Sequence, residues 1–187
     1  MSLNLYHTKR NFRNTPEPES SHRKASEFLH FCIQKHAARR LHYDFRLECR
    51  GVLLSWAVPK GPSLNPHDKR LAIQVEDHPL EYQYFEGVIP KGNYGAGTVE
   101  IWDHGTYGTP KTMARAEVEH EIEDGLKRGH FSIILHGERL HGEFIFQKLK
   151  NDPEEKSWLL IKKSDKAASD APIIEEGKKQ KPEKKKP

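Results

Sequence analysis

The run from Gln34 to Glu48, QKHAARRLHYDFRLE, places two histidines, an aspartate and four cationic side chains within fifteen residues. Within it His42, Asp44 and Arg46 alternate with Leu41, Tyr43, Phe45 and Leu47. Side chains of a β-strand point to opposite faces with period two, whereas a helix would scatter the three polar groups around its axis. The pattern therefore predicts a strand over 41–49, apolar on one face and chemical on the other, with same-face neighbours roughly 6.5–7 Å apart. Burying such a row of charges without compensation is prohibitively costly. The polar face is accordingly expected to line a cavity or groove.

Working outward, strand signals recur at 28–35, at 52–58 after the Arg50-Gly51 turn, and at 71–76, 98–102, 131–136, 143–149 and 158–163. Eight short strands imply an all-β sandwich or barrel. One helix is expected at about 113–128, rich in helix formers and closed by Gly129. Three regions follow: an extended, proline-containing segment over 1–25, a β domain over 26–163, and a basic, disordered tail or linker over 164–187.

The 187 residues suit one medium domain with tails, and no apolar run is long enough to span a membrane. The N-terminus lacks the apolar block of a signal peptide, so a soluble, cytoplasmic protein is expected. Cys32 and Cys49 read as small buried hydrophobes rather than a disulfide. The formal charge of +4 resides in residues 162–187, where nine lysines face five acids, and the rest of the chain is neutral. Binding of nucleic acid by the globular part must then rely on local patches.

His36, His42 and Asp44 form an H-x5-H-x-D array, a mixed nitrogen and oxygen donor set suited to Mn²⁺, Fe²⁺ or Zn²⁺. The alternative is that these histidines simply pair with neighbouring acids. Arg46 lies one step further along the same face, where its planar fork would meet a phosphate beside the metal or pair with Asp44. Downstream come Lys60, Arg70, Glu76, His78 and Tyr82, then the loop GNYGAG. That loop lacks the Gly-Lys-Ser/Thr ending of a P-loop and reads as a tight turn between strands.

These residues sit in longer motifs. QKHAARRLHYDFRLE, SWAVPKGPS, VEDHPLEYQYFEGVIPKGNYGAGTVEIWDHGTY and the final GERLHGEFIFQKL occur in one order. Together they closely resemble the 3′-phosphoesterase domain of bacterial DNA ligase D, over about residues 9–163. The resemblance implies a compact β-barrel with a Mn²⁺-dependent site that trims DNA 3′ ends. It implies a phosphodiesterase step that removes a terminal 3′-ribonucleoside and a phosphomonoesterase step that converts the remaining 3′-phosphate into a 3′-hydroxyl.

By the same resemblance His36, His42 and Asp44 are the metal ligands, and Arg46, His78 and Tyr82 contact the reacting phosphate. Gln34, Lys60, Arg70 and Glu76 correspond to supporting positions. Arg10, Asn11 and Glu17 occupy an N-terminal motif that is Arg-Asp-Phe followed by Pro-Glu in the family, so Asn11 departs from its acidic pattern. The implied partners are DNA ends or primer-templates carrying a 3′-ribonucleotide or 3′-phosphate, ligase and polymerase domains or other end-joining factors, and no membrane. Two other classes remain open: a noncatalytic binder of nucleic-acid ends, and an Fe(II)/2-oxoglutarate oxygenase built on His42, Asp44 and His78.

Overall fold

A computed structural model describes residues 1–20 and 26–174. Its scaffold is a closed antiparallel barrel made by β1 (Leu29–Ala37), β2 (Leu41–Cys49), β3 (Val52–Val58), β4 (Lys69–Gln74), β7 (Gly97–Gly108), β8 (His130–Gly137), β9 (His141–Lys148) and β10 (Ser157–Lys162). Neighbours run in the order β1-β2-β3-β4-β10-β9-β8-β7, and β7 pairs back onto β1 to close the ring. All eight expected strands are present. Two shorter strands, β5 (His78–Pro79) on β3 and β6 (Gly87–Ile89) on β7, lie outside the ring and flank a 3-10 turn at Leu80–Tyr84.

The apolar face of β2 points into the barrel. Tyr43, Phe45 and Leu47 meet Phe31 and Ile33 of β1, Trp56 of β3 and Phe146 of β9 in a core whose members are almost fully buried. Helix α2 (Arg115–Arg128) contributes Val118 and Ile122 to this core. It ends at Gly129, whose φ of 75° is the left-handed cap expected there. Cys32 and Cys49 are buried free thiols, as the sequence implied.

A second apolar cluster forms on the outside of the ring from Tyr6, Leu53, Leu80, Tyr82, Phe85, Ile89 and Val99, with Leu3 and Phe12 packed against it. The strands β1–β3 are therefore covered on both faces, and β2 is buried continuously from Tyr43 to Cys49. The outer cover includes an N-terminal strap that is not wholly extended, since Asn4–Thr8 form a short helix, α1. This is a second helix where the sequence suggested one.

Residues beyond 163 also pack on the barrel. Asp165 accepts hydrogen bonds from the buried Lys162 ammonium at 2.5 Å and from the Glu143 backbone N–H at 2.7 Å. Ile173 and Ile174 pack against the barrel core. Gly61, at φ 65°, makes room for Ile174, because a Cβ there would collide with that side chain. The parts of the expected tail over 175–187 and of the expected N-terminal segment over 21–25 lie outside the described residues.

Candidate metal centre

The triad is assembled by one hairpin. Antiparallel register sets His36 directly opposite His42 and Gln34 opposite Asp44, all on the outer face of β1 and β2. Candidate donor atoms of His36, His42 and Asp44 lie within 4.8 Å of one another. His36 Nδ1 is 3.4 Å from Asp44 Oδ2, and His42 Nε2 is 3.6 Å from Asp44 Oδ1. Donors sharing one ion at about 2.0–2.2 Å sit roughly 3–3.5 Å apart, so the most widely separated pair must close by about 1.5 Å to share a metal.

The other nitrogen of each ring is tied to a backbone carbonyl: His36 Nε2 to Gly95 at 2.8 Å and His42 Nδ1 to Arg40 at 2.9 Å. Such bonds fix the tautomer and turn the unprotonated nitrogen toward the metal position. Burial opposes the Asp44 charge, but Arg46 and the two imidazoles outweigh it and hold the carboxyl below its usual range. The carboxylate is thus ionised and ready to ligate.

Arg46 is 2 % exposed. Its Nε donates to Gln34 Oε1 at 2.7 Å, Nη1 to Ser55 Oγ at 2.9 Å and Nη2 to Asp44 Oδ2 at 3.1 Å. Gln34 is itself locked by donating to the carbonyls of Tyr82 and Phe85, at 2.8 and 2.9 Å. Ser55 was missed in the sequence, although a lone hydroxyl in the apolar strand VLLSWAV was a signal for it.

Beside Arg46 lies a polar network roofed by the strap. His78 Nδ1 donates to the Glu76 carbonyl at 2.8 Å, so its Nε2 is the acceptor for Arg10 Nη2 at 3.2 Å. Burial, then Arg46 and Arg10, push the His78 pKa well below 6.5, and the ring is neutral. Arg10 also pairs with Glu17 at 2.7 Å and Glu76 at 3.0 Å, while Lys9 takes the second Glu76 oxygen at 2.9 Å. Burial opposes the Glu76 charge, but Lys9 and Arg10 keep its pKa below the ordinary value. Tyr82 donates its hydroxyl to Glu17 at 3.0 Å and stacks under the Arg46 guanidinium at 4.6 Å. Burial raises the Tyr82 pKa, so the phenol keeps its proton.

The structure thus brings Gln34, His36, His42, Asp44, Arg46, Glu76, His78, Tyr82, Arg10 and Glu17 into one continuous region. His78 stands outside the donor cluster, whose second imidazole is His36. Three residues do not join. Asn11 is exposed and caps its own turn through the Arg13 N–H. Lys60 is exposed just beyond β3. Arg70 shares the inward face of β4 with Ala72 and pairs with Asp68 at 2.7 Å, away from the outer face that carries the triad.

The family model described as the DNA ligase D 3′-phosphoesterase domain matches residues 34–148, the span that contains the triad. The chain belongs to this family. Against the multifunctional non-homologous end joining protein LigD of Pseudomonas aeruginosa it is 49 % identical over 162 residues, covering 86 % of the chain and 18 % of that protein. Against the multifunctional non-homologous end joining DNA repair protein LigD of Mycobacterium tuberculosis it is 46 % identical over 151 residues, covering 80 % and 19 %. The chain spans about a fifth of the length of these relatives. Among the described residues, no helix of this phosphoesterase-family domain is long and apolar enough to cross a membrane.

Proposed function

We propose that the chain is a Mn²⁺-dependent DNA 3′-end-processing phosphoesterase. It removes a 3′-terminal ribonucleoside to leave a 3′-phosphate, then removes that phosphate to leave a 3′-hydroxyl for non-homologous end joining. The observation that carries this reading is the join between the His36–His42–Asp44 donor set and Arg46, 3.1 Å from Asp44. A metal-type ligand set edged by a braced guanidinium suits an anionic, oxygen-rich substrate. Its partners in this reading are DNA ends or primer-templates in the cytosol, together with ligase and polymerase domains or other end-joining factors.

His36, His42 and Asp44 would hold the ion. When bound, it supplies Lewis-acid polarisation of a phosphate oxygen and a water of lowered pKa. The chain's own contribution is preorganised charge, which dominates phosphoryl-transfer catalysis. Arg46 commits three of its five N–H donors to Gln34, Ser55 and Asp44, which leaves two for a phosphate oxygen. Tyr82 carries a hydroxyl proton and acts as a hydrogen-bond donor. His78 is neutral with its proton on Nδ1, so its Nε2 accepts and aims Arg10 rather than protonating the leaving oxygen.

The test is a primer-template ending in one ribonucleotide, incubated with Mn²⁺. The expected products are a primer shortened by one nucleoside with a 3′-phosphate, and then its 3′-hydroxyl form. Succinate released only with iron and 2-oxoglutarate would replace this reading with an oxygenase. A gel shift without shortening would replace it with an end binder.

A further inference from the structure

The loop Gly92–Gly97 does more than turn the chain. Gly95 accepts the His36 ring N–H, so the loop buttresses a ligand of the candidate metal centre. Its preceding residue, Tyr94, is 48 % exposed. The Tyr94 hydroxyl accepts from Lys9 Nζ at 3.2 Å, and that ammonium lies 4.6 Å from the ring centroid. The Arg10 guanidinium is 5.5 Å from the same ring. Asn93 ties the loop to the strap again by donating to the Asn14 carbonyl at 3.2 Å. Tyr94 is therefore tied to the strap and, through Gly95, to the candidate metal centre, while about half of the residue remains exposed.

Exposure of an aromatic ring at this position stands out. Among the described residues the exposed aromatics are Phe28, Tyr84 and Tyr94, and of these Tyr94 alone adjoins a residue bonded to the triad. Arg46 keeps donors for a phosphate, but the aromatic ring beside it, Tyr82, is buried and offers no surface to the nucleoside attached to that phosphate. Stacking on an aromatic ring suits an end-processing site, because every base presents a π-face and the contact tolerates any sequence.

We infer that Tyr94 is the platform on which the base of the 3′-terminal nucleoside stacks. This rests on the phosphoesterase reading for the identity of the substrate end, but the contact itself is a binding claim. Affinity for two primers is measured by fluorescence anisotropy, one ending in a ribonucleotide and one in an abasic ribose. Removing the base should weaken binding to the unmodified protein on the order of 10-fold. Tyr94→Ala should weaken the intact primer by a similar factor and be indifferent to the missing base. Tyr94→Phe, which loses the Lys9 bond but keeps the ring, should retain the preference for the base.

Independent, additive losses from Tyr94→Ala and from base removal would overturn the assignment. So would a Tyr94→Phe variant as weak as Tyr94→Ala, since the hydroxyl's hold on Lys9 would then be the whole effect. Mn²⁺ affinity by calorimetry should be equal in all three proteins, and its collapse in Tyr94→Ala would make the loop a prop for His36 instead. If the unmodified protein bound primers without cleaving them, the phosphoesterase reading would fail while the anisotropy comparison still decided the stacking.

Discussion

The two faces of β1 and β2 have the same backbone and opposite occupations. Inside the ring, Phe31, Ile33, Phe45 and Leu47 are at most 1 % exposed and touch only core. Outside it, Gln34, His36, Asp44 and Arg46 are also buried, yet their partners are backbone carbonyls, the Ser55 hydroxyl and one another. Burial alone does not distinguish them. What differs is the reward for burial: dispersion and dehydration inside, satisfied hydrogen bonds and paired charges outside. The inner face should therefore govern stability and the outer face chemistry.

The sharpest contrast sets His42→Ala against Phe45→Ala. His42 is the most exposed of the triad, so its loss should abolish cleavage with little change in melting temperature. Phe45→Ala should destabilise by about 3–5 kcal/mol while the folded fraction still cleaves. Urea denaturation beside single-turnover assays reads both, and a stable but inactive Phe45→Ala would break the division. Asp44→Ala is the poorer probe, because it strands the buried Arg46 charge and lowers stability as well.

The C-terminal segment belongs to the inner side. Ending the chain after Ser164 removes Asp165 and strands the Lys162 ammonium, whose side chain is fully buried. It also strips Ile173 and Ile174 from the core. A loss of about 3 kcal/mol or more is expected by the cost of an unpaired buried charge, with cleavage per folded molecule retained. Equal denaturation midpoints for chains ending after Ser164 and after Ile174 would contradict this packing.

Arg46→Lys probes the outer face more finely. Lysine keeps the charge but cannot serve Gln34, Ser55 and Asp44 in one plane. Mn²⁺ binding by calorimetry should persist while the single-turnover rate falls roughly 100-fold, about 2.7 kcal/mol. Loss of metal affinity in step with rate would make Arg46 a support for Asp44 and nothing more.

Acidification should give the smallest effect. His78 is neutral when folded, whereas the unfolded chain takes up a proton near 6.5. The stability it confers is complete above that pH and declines below it, by up to about 1.4 kcal/mol per unit. Glu76 has the same sign lower down, since its depressed pKa gives a contribution present above 4.5 and lost as pH falls through its folded value. Urea midpoints at pH 7.5, 6 and 5 should fall in order, and a flat profile would mean that the strap does not seal His78.

Alternation or short apolar runs exposed the eight ring strands because each has at least one face in a core. It could not reveal β5 and β6, whose two and three residues are too short for a pattern. The expected strand 98–102 runs on to Gly108, an extension that carried no strand signal because DHGTYG holds an Asp and two Gly. Asp103 explains part of this, since its carboxylate is buried and accepts the backbone N–H groups of Glu138, Arg139 and Leu140. The triad was legible because its three ligands share one hairpin. The surroundings of the triad were less so: Ser55 faces Arg46 across the next hairpin but sits in an apolar run, and Lys9 reaches Glu76 and Tyr94 only once the strap docks.

That compactness has a thermodynamic consequence. The three candidate ligands lie between His36 and Asp44, joined by a tight turn, and little loop entropy is needed to gather them even in a denatured chain. A cation that also binds the unfolded ensemble stabilises the native state by less than its native affinity implies. On the metal reading of this site, a bound ion would contribute comparatively little to the folding equilibrium, which is left to the aromatic interior on the other side of the same two strands.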